Sequence, residues 1–186
     1  MTDTLHTDID TSVTIAGVNF KNPVIAASGT FGFGTEYEQL IDVNALGGMC
    51  SKGLTLEARP GNKGIRIHET PSGLINSIGL ENPGIEHFIQ RELPQMLAFK
   101  TVSIANLSGS TIESYVEGAR LLDQTDIPMI ELNISCPNVK AGGMAFGLEP
   151  SAAAEVTGAV RKVTKKPLMV KLSPNAPDLI AVAHAV

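Results

Sequence analysis

The chain has 186 residues, of which 43% are apolar and 18% charged, and its net charge is -5. This composition is typical of one globular domain with a sizeable core, and it argues against a disordered or fibrous chain. The acidic balance and the absence of a lysine and arginine block make nucleic acid and anionic membranes poor candidate partners.

The sequence also restricts the compartment and the chemistry of the two cysteines. No apolar run approaches the roughly 20 residues that cross a bilayer, and the polar start lacks the features of a signal peptide, so we expect a cytoplasmic protein. Cys50 and Cys136 lie in different predicted strand units, and neither belongs to a CxxC or Cys/His cluster. We therefore expect neither a disulfide nor a metal site.

Apolar periodicity and turn residues predict a hairpin followed by alternating strands and helices. Residues 1–12 are expected to be loose, and the hairpin spans residues 13–20. The predicted strands are 23–27, 48–52, 101–105, 129–133 and 167–171, and the predicted helices are 36–41, 85–97, 112–122, 150–163 and a segment from 177 onward. Pro94 is expected to kink the second helix. The Gly- and Pro-rich connection 53–85 contains further hairpin pieces and is long enough to form a lid over a site.

Five strand-helix units predict a parallel sheet, arranged either as an open doubly wound sheet or as a closed barrel. Every strand is followed or ended by polar residues, and these are Ser28, Lys52, Asn106, Asn133 with Cys136, and Lys171. A barrel brings all of its strand ends to one mouth, whereas an open sheet uses only the strand ends at one switch point. We therefore predict an α/β fold, a (β/α)8 TIM barrel that residues 13–186 supply incompletely, with about five βα units.

The loop after the fourth strand is the candidate reactive segment. It contains Asn133, Ser135, Cys136 and Asn138, and Pro137 ends the strand. A thiol can act as acid or base near neutral pH, and amides suit a flat ligand with imide or carboxylate groups. Taken alone, the loop also fits a buried cysteine among turn residues. Cys50, two residues before Lys52 on the same strand face, is interpreted as packing.

Five motifs in order resemble dihydroorotate dehydrogenase. They are Ala27-Ser28-Gly29, Ser51 to Thr55, Asn76 to Leu80, Asn133 to Asn138, and Val170-Lys171-Leu172. The resemblance implies an FMN barrel enzyme that oxidises dihydroorotate to orotate in pyrimidine biosynthesis. The presence of cysteine rather than serine at position 136 is similar to what the soluble class 1 enzymes have there. Residues 59–62 and 69–73 look more like the NAD-linked class 1B catalytic subunit than the fumarate-linked class 1A.

The resemblance also implies a role for each matching residue. Cys136 corresponds to the base that takes a proton from C5 of dihydroorotate. The implied substrate-binding residues are Lys52, Asn76, Ser77, Ile78, Gly79, Leu80, Asn133 and Asn138. The implied FMN-binding residues are Ser28, Lys52, Gly53, Asn106, Asn133 and Lys171. Lys171 is expected near flavin N1 and the C2 carbonyl, where an ammonium stabilises the negative charge of the reduced flavin.

The class 1B resemblance further implies assembly with other subunits. It implies a homodimer of catalytic subunits and a heterotetramer with a partner subunit whose FAD and [2Fe-2S] cluster pass electrons to NAD. Two cysteines are too few for an all-thiolate cluster, so these cofactors belong to the partner. The family domain is longer than this chain and its FMN phosphate site is expected beyond Val186, so we expect the 186 residues alone to have weak or no FMN affinity and no useful turnover. The alternatives are a related dihydropyrimidine dehydrogenase and a non-catalytic assembly fragment.

Overall fold

The computed structural model describes residues 9–135 and 143–186, without the side chains of 143–145. Its strands are β1 Val13–Ile15, β2 Val18–Phe20, β3 Ile25–Ala26, β4 Gly48–Cys50, β5 Ile67–Thr70, β6 Gly73–Asn76, β7 Val102–Leu107, β8 Met129–Asn133 and β9 Leu168–Lys171. Its α-helices are α1 Ile85–Gln90, α2 Glu92–Ala98, α3 Ile112–Asp123, α4 Gly143–Leu148, α5 Pro150–Arg161 and α6 Leu179–Ala185. Short 3-10 turns span Thr35–Tyr37 and Val43–Ala45.

Five of the strands form one parallel sheet in the order β3-β4-β7-β8-β9. Each neighbouring pair is parallel, as the strand-helix alternation predicts. The apolar side chains between this sheet and the helices form the main core, which includes Phe88, Tyr115, Leu122 and Val156. The parallel sheet therefore has its connections on the helical side, which leaves the strand ends to carry polar groups.

The antiparallel hairpin of β1 and β2 lies outside this sheet, as predicted. It turns at Ala16 and Gly17, both of which have positive φ. Phe20 at its end is buried in a second, smaller apolar cluster with Cys50, Ile104 and Met129. Phe20 also approaches Gly48, the first residue of β4, so the hairpin covers the amino-terminal end of the sheet.

The sheet is strongly curled. A flat sheet of five strands at about 4.8 Å spacing would separate its edges by about 19 Å. Ser28 follows the edge strand β3 and Lys171 ends the opposite edge strand β9, yet Lys171 Nζ lies 2.9 Å from Ser28 Oγ. This curl is the geometry of a partial barrel, which confirms the predicted fold class.

The helix boundaries agree with the predictions at some ends and differ at others. Thr111 caps α3 in a capping box with Ser114, as the Ser/Thr cluster indicates. The single helix predicted for 85–97 is two helices, and the break lies at Arg91, not at Pro94. Pro94 lies in the first turn of α2, where a backbone N–H has no intrahelical acceptor to lose. The helix predicted for 36–41 is a 3-10 turn, and α4 was not predicted.

An apolar face remains at the β9 edge. A cavity of about 590 Å³ lies between α5, β9 and α6, lined among others by Ala154, Leu168, Val170 and Val186. It contains none of the predicted site residues. Within the described ranges, no helix is long and apolar enough to cross a membrane.

Candidate active site

The carboxyl ends of the five parallel strands meet on one side of the curled sheet. Asn133 and Lys171 end β8 and β9 and are partners in the ladder. Asn106 lies one residue before the end of β7, where its ladder partner is Glu131. Residues in register on neighbouring parallel strands share a face of the sheet, so these polar side chains converge.

A cleft of about 180 Å³ opens at these strand ends. Its lining consists of the predicted site residues Ser28, Gly53, Leu80, Asn106, Asn133 and Lys171, together with Gly29 and Ser135. Complete ligand sites usually occupy about 300 Å³ or more, so this cleft is the size of one part of a cofactor or substrate site.

Lys171 gives the cleft a positive charge. Its ammonium donates a hydrogen bond to Ser28 Oγ at 2.9 Å. Neither of the ion pairs in the described part of the chain includes Lys171. An ammonium that is half-buried and lacks a carboxylate partner there favours negative charge on a ligand.

The asparagines of the cleft belong to a buried hydrogen-bonded chain. Asn133 Nδ2 donates to Asn106 Oδ1 at 3.1 Å, and Asn106 Nδ2 donates to Glu131 Oε1. The Asn133 carboxamide oxygen accepts from the backbone N–H of Ser135 at 3.1 Å and from its hydroxyl at 2.9 Å. Tyr115 donates to the backbone oxygen of Asn133 at 2.8 Å. The end of β8 is therefore held by side chains from two other elements.

Cys50 lies beneath this series of hydrogen-bonded side chains. Its thiol is 2% exposed and is 3.6 Å from Glu131 Oε2. Burial, and then the Glu131 carboxylate, raise the pKa of Cys50 to about 12, while the Lys171 ammonium acts in the opposite direction. The interpretation of Cys50 as packing is incomplete, because the thiol also contacts a buried carboxylate.

Gly53 allows its neighbours to approach the cleft closely. A Cβ at this position would lie 2.9 Å from Leu80 Cδ1, 3.1 Å from Asn106 Oδ1 and 3.3 Å from Ser108 Oγ. Ser108 is fully buried, and its hydroxyl has no hydrogen-bond partner among the described residues. Ser108 was not singled out from the sequence, where it follows Asn106 as an ordinary turn residue.

Lys52 lies apart from this cleft. It lines a neighbouring cavity of about 440 Å³ with Glu36, Arg59 and Glu81. Its backbone N–H donates to the carbonyl of Gly32 at 2.8 Å. The structure therefore places Gly53 in the cleft and the adjacent lysine side chain in a different, charged cavity.

The predicted substrate segment 76–80 is only partly at the cleft. Asn76 ends β6 and is exposed, and Ser77, Ile78 and Gly79 follow it along the hairpin connection. Leu80, with φ +56°, is the member of this segment that lines the cleft. Cys136 and Asn138 lie outside the described residues. Within residues 9–135 and 143–186, no three His, Cys, Asp or Glu residues are grouped to hold a metal ion.

The family model described as dihydroorotate dehydrogenase matches residues 11–186. The chain belongs to this family. It is 59% identical over 177 residues to a Petrotoga mobilis protein named dihydroorotate dehydrogenase B (NAD(+)), catalytic subunit, a match that covers 95% of this chain and 59% of that protein. Proteins of the same name from Caldicellulosiruptor saccharolyticus and Alkaliphilus metalliredigens are 52% and 49% identical, over 93% and 96% of this chain and 57% and 59% of theirs.

The fold of this family member also agrees with a solved structure. A dihydroorotate dehydrogenase from Eimeria tenella, in complex with ferulenol, superposes with a TM-score of 0.75 at 19% identity. The match covers 98% of this chain and 58% of that one. The chain thus spans a little less than three fifths of the length of the relatives described above.

Proposed function

We propose that the chain forms part of the catalytic subunit of an FMN-dependent dihydroorotate dehydrogenase, which oxidises dihydroorotate to orotate in pyrimidine biosynthesis. The observation that carries this proposal is the single cleft in which Ser28, Gly53, Asn133 and Lys171 converge from separate strand ends. The identity of 59% to a relative named for this reaction supports it.

The described residues fit a flavin. The cleft presents an ammonium, a hydroxyl and amide N–H groups, which suit the carbonyl oxygens and ring nitrogens of an isoalloxazine. The absence of a side chain at Gly53 permits a flat ring to approach the strand ends. We propose Ser28, Gly53, Asn133 and Lys171 as the residues that contact it, with the fully buried Asn106 supporting Asn133.

The protein side chains would then perform binding and proton transfer. Lys171 stabilises negative charge on the ligand, and Asn133 orients the ring that it contacts. When bound, FMN supplies the acceptor for the hydride of dihydroorotate C6. We propose that Cys136, outside the described residues, takes the proton from C5, so that both losses together leave the C5=C6 double bond of orotate.

The relatives' names also suggest the surroundings of this subunit. They contain the words "catalytic subunit" and "NAD(+)". We propose that electrons leave this subunit for NAD through a partner carrying FAD and a [2Fe-2S] cluster, in a heterotetramer built on a catalytic homodimer. A cytoplasmic location follows from this proposal.

Flavin bleaching tests the function directly. The 186 residues are joined after Val186 to the part of the Petrotoga mobilis relative that the match leaves uncovered, which gives the extended protein. Anaerobic dihydroorotate is expected to bleach its bound FMN, whereas dihydrouracil is not. Bleaching by dihydrouracil alone would identify a dihydropyrimidine dehydrogenase instead. Reduction of NAD by the extended protein without a partner would contradict the NAD-linked two-subunit assignment.

Cys136→Ser in the extended protein tests the base. A hydroxyl is a far weaker acid than a thiol, so flavin reduction is expected to slow and its pH dependence to move to higher pH. The control is Glu155→Gln, which changes an exposed side chain on α5 and leaves position 136 intact. An unchanged pH profile in Cys136→Ser would remove this residue from the proton-transfer role.

A further inference from the structure

Glu131 is a buried carboxylate inside the parallel sheet, and the proposed chemistry does not use it. It is 6% exposed, and neither ion pair of the described residues includes it. A buried carboxylate is costly unless hydrogen bonds replace its water. Two side chains supply these bonds, Cys50 at Oε2 and Asn106 at Oε1.

The carboxylate determines the direction of the hydrogen bonds above it. Both Glu131 oxygens act as acceptors, Oε2 from Cys50 and Oε1 from Asn106, so Asn106 must turn its Nδ2 toward Glu131. The Asn106 oxygen then faces Asn133 and accepts from its Nδ2 at 3.1 Å. The side-chain oxygen of Asn133 therefore faces Ser135, from which it accepts two hydrogen bonds. Reversing either amide would place two acceptors, or two donors, against each other.

We propose that Glu131 is a positioning residue that acts through Asn106 to fix the orientation of the Asn133 amide in the cleft. With its oxygen committed to Ser135, Asn133 has only its second N–H for a ligand. This N–H has no acceptor among the residues of the described ranges. Asn106 itself is fully buried, so its main role is to transmit the orientation.

The cleft is therefore a site of hydrogen-bond donors. Besides the Asn133 N–H, Lys171 offers its ammonium, and Ser28 keeps its own O–H because its oxygen accepts from Lys171. Such a cleft selects a ligand edge that carries carbonyl or anionic oxygens. This inference rests on the proposed function for the identity of that ligand, the carbonyl-bearing edge of a flavin or a dihydropyrimidine. The orientation of the amides does not depend on it.

We call the series of hydrogen bonds from Cys50 through Glu131, Asn106 and Asn133 to Ser135 the relay. Its lower end, the Cys50 thiol, keeps its proton in the neutral pH range. Burial and the neighbouring carboxylate keep the Cys50 thiol protonated, with a pKa of about 12. The S–H of Cys50 therefore donates its hydrogen bond to Glu131 throughout the neutral pH range in which the protein is folded. The relay runs from this thiol to Ser135, the residue directly before Cys136.

Side-chain amide NMR tests the relay without any flavin. The samples are the 186-residue chain and the extended protein, labelled with 15N-asparagine and assigned with Asn106→Asp and Asn133→Asp. One N–H of each of these two amides is expected to exchange with solvent at least tenfold more slowly than those of the exposed Asn175. Exchange at the rate of Asn175 would overturn the proposal.

Glu131→Gln tests the transmission. A glutamine can present its own N–H to Asn106, so the Asn106 and Asn133 amide signals are both expected to shift or double. The exposed Glu155→Gln on α5 is the matched control, in which they stay unchanged. An unchanged Asn133 signal in Glu131→Gln would overturn the proposal. If Glu131→Gln does not fold, Cys50→Ala removes only the lower donor, and the Asn106 signal must still shift.

A ligand measurement separates this inference from the proposed function. In the extended protein, Glu131→Gln is expected to weaken FMN binding about tenfold, while Glu131→Asp, which keeps an acceptor-only group, recovers part of it. If the wild type binds no FMN, the proposed function fails and the amide signals still decide the relay. Equal affinity of the Glu131→Gln variant and wild type, with FMN bound, would contradict the role in ligand positioning.

Discussion

Replacing Gly53 by alanine would add one methyl group where three side chains meet. The new Cβ would lie 2.9 Å from Leu80 Cδ1, 3.1 Å from Asn106 Oδ1 and 3.3 Å from Ser108 Oγ. The end of the Leu80 side chain can move away. The Asn106 side chain cannot move away as easily, because Glu131 and Asn133 hydrogen-bond the two ends of its amide.

The size of the effect follows from two opposing terms. Crowding a packed region costs about 1–3 kcal/mol, and alanine recovers about 0.4–1 kcal/mol by restricting the unfolded chain. We expect Gly53→Ala to lower the free energy of unfolding by about 1.5 kcal/mol, which for a chain of this size lowers Tm by about 3–6 °C. The methyl group also narrows the cleft, so FMN should bind about tenfold more weakly.

Thermal unfolding of the 186-residue chain and flavin fluorescence titration of the extended protein measure these two effects. Gly158→Ala is the matched control, because Gly158 lies inside α5 and a Cβ there meets no atom within 4 Å beyond its chain neighbours and the backbone of its own helix. That variant should be about 0.5–1 kcal/mol more stable than wild type in the 186-residue chain. If Gly53→Ala were also stabilised and bound FMN as tightly as wild type, the close packing around Gly53 would be refuted.

Three further measurements address the same region. Tyr115→Phe should cost about 1–2 kcal/mol of stability in denaturant titrations, because it leaves the buried backbone oxygen of Asn133 without the Tyr115 hydroxyl as donor. The control Tyr37→Phe breaks an exposed hydrogen bond of equal length and should cost under about 1 kcal/mol in the same titrations. Folding raises the pKa of Cys50 from 9.0 to about 12, so the contribution of this thiol to stability is complete below pH 9 and is lost as the pH rises toward 12. The stability difference between wild type and Cys50→Ala should therefore shrink over this interval by up to about 4 kcal/mol. A constant difference would contradict the pKa shift. Lys171→Ala in the extended protein should lower the reduction potential of bound FMN, measured by dye equilibration, and an unchanged potential would separate this ammonium from the flavin.

The apolar pattern was sufficient to predict the parallel sheet. β8 lies at the predicted positions, and β9 begins one residue after its predicted start, because short apolar runs bounded by turn residues leave little freedom in placement. The break at Arg91 could not be read from the sequence, because proline in a first helical turn and proline at a kink look the same. The position of the break depends on the tertiary packing of the two short helices.

The grouping of polar residues at the strand ends was predictable, and the groups beneath and beside them were less so. Asn133, Asn106 and Lys171 share the cleft, because parallel strands bring their ends together. Glu131 was overlooked, although a single charged residue in a fully buried strand was the available signal. The placement of Lys52 depends on the path of the long connection after β4, which the local pattern does not specify.

The hydrogen bond between Lys171 and Ser28 has a consequence for the order of folding. It joins residues 143 positions apart, at opposite edges of the sheet. Its loop-closure entropy is repaid only after the intervening strands have paired, so it belongs late on the folding pathway. An interaction absent from the transition state affects the unfolding rate and leaves the folding rate nearly unchanged. This hydrogen bond therefore slows the unfolding of the curled sheet. Its loss would let the two edges separate faster without slowing their assembly.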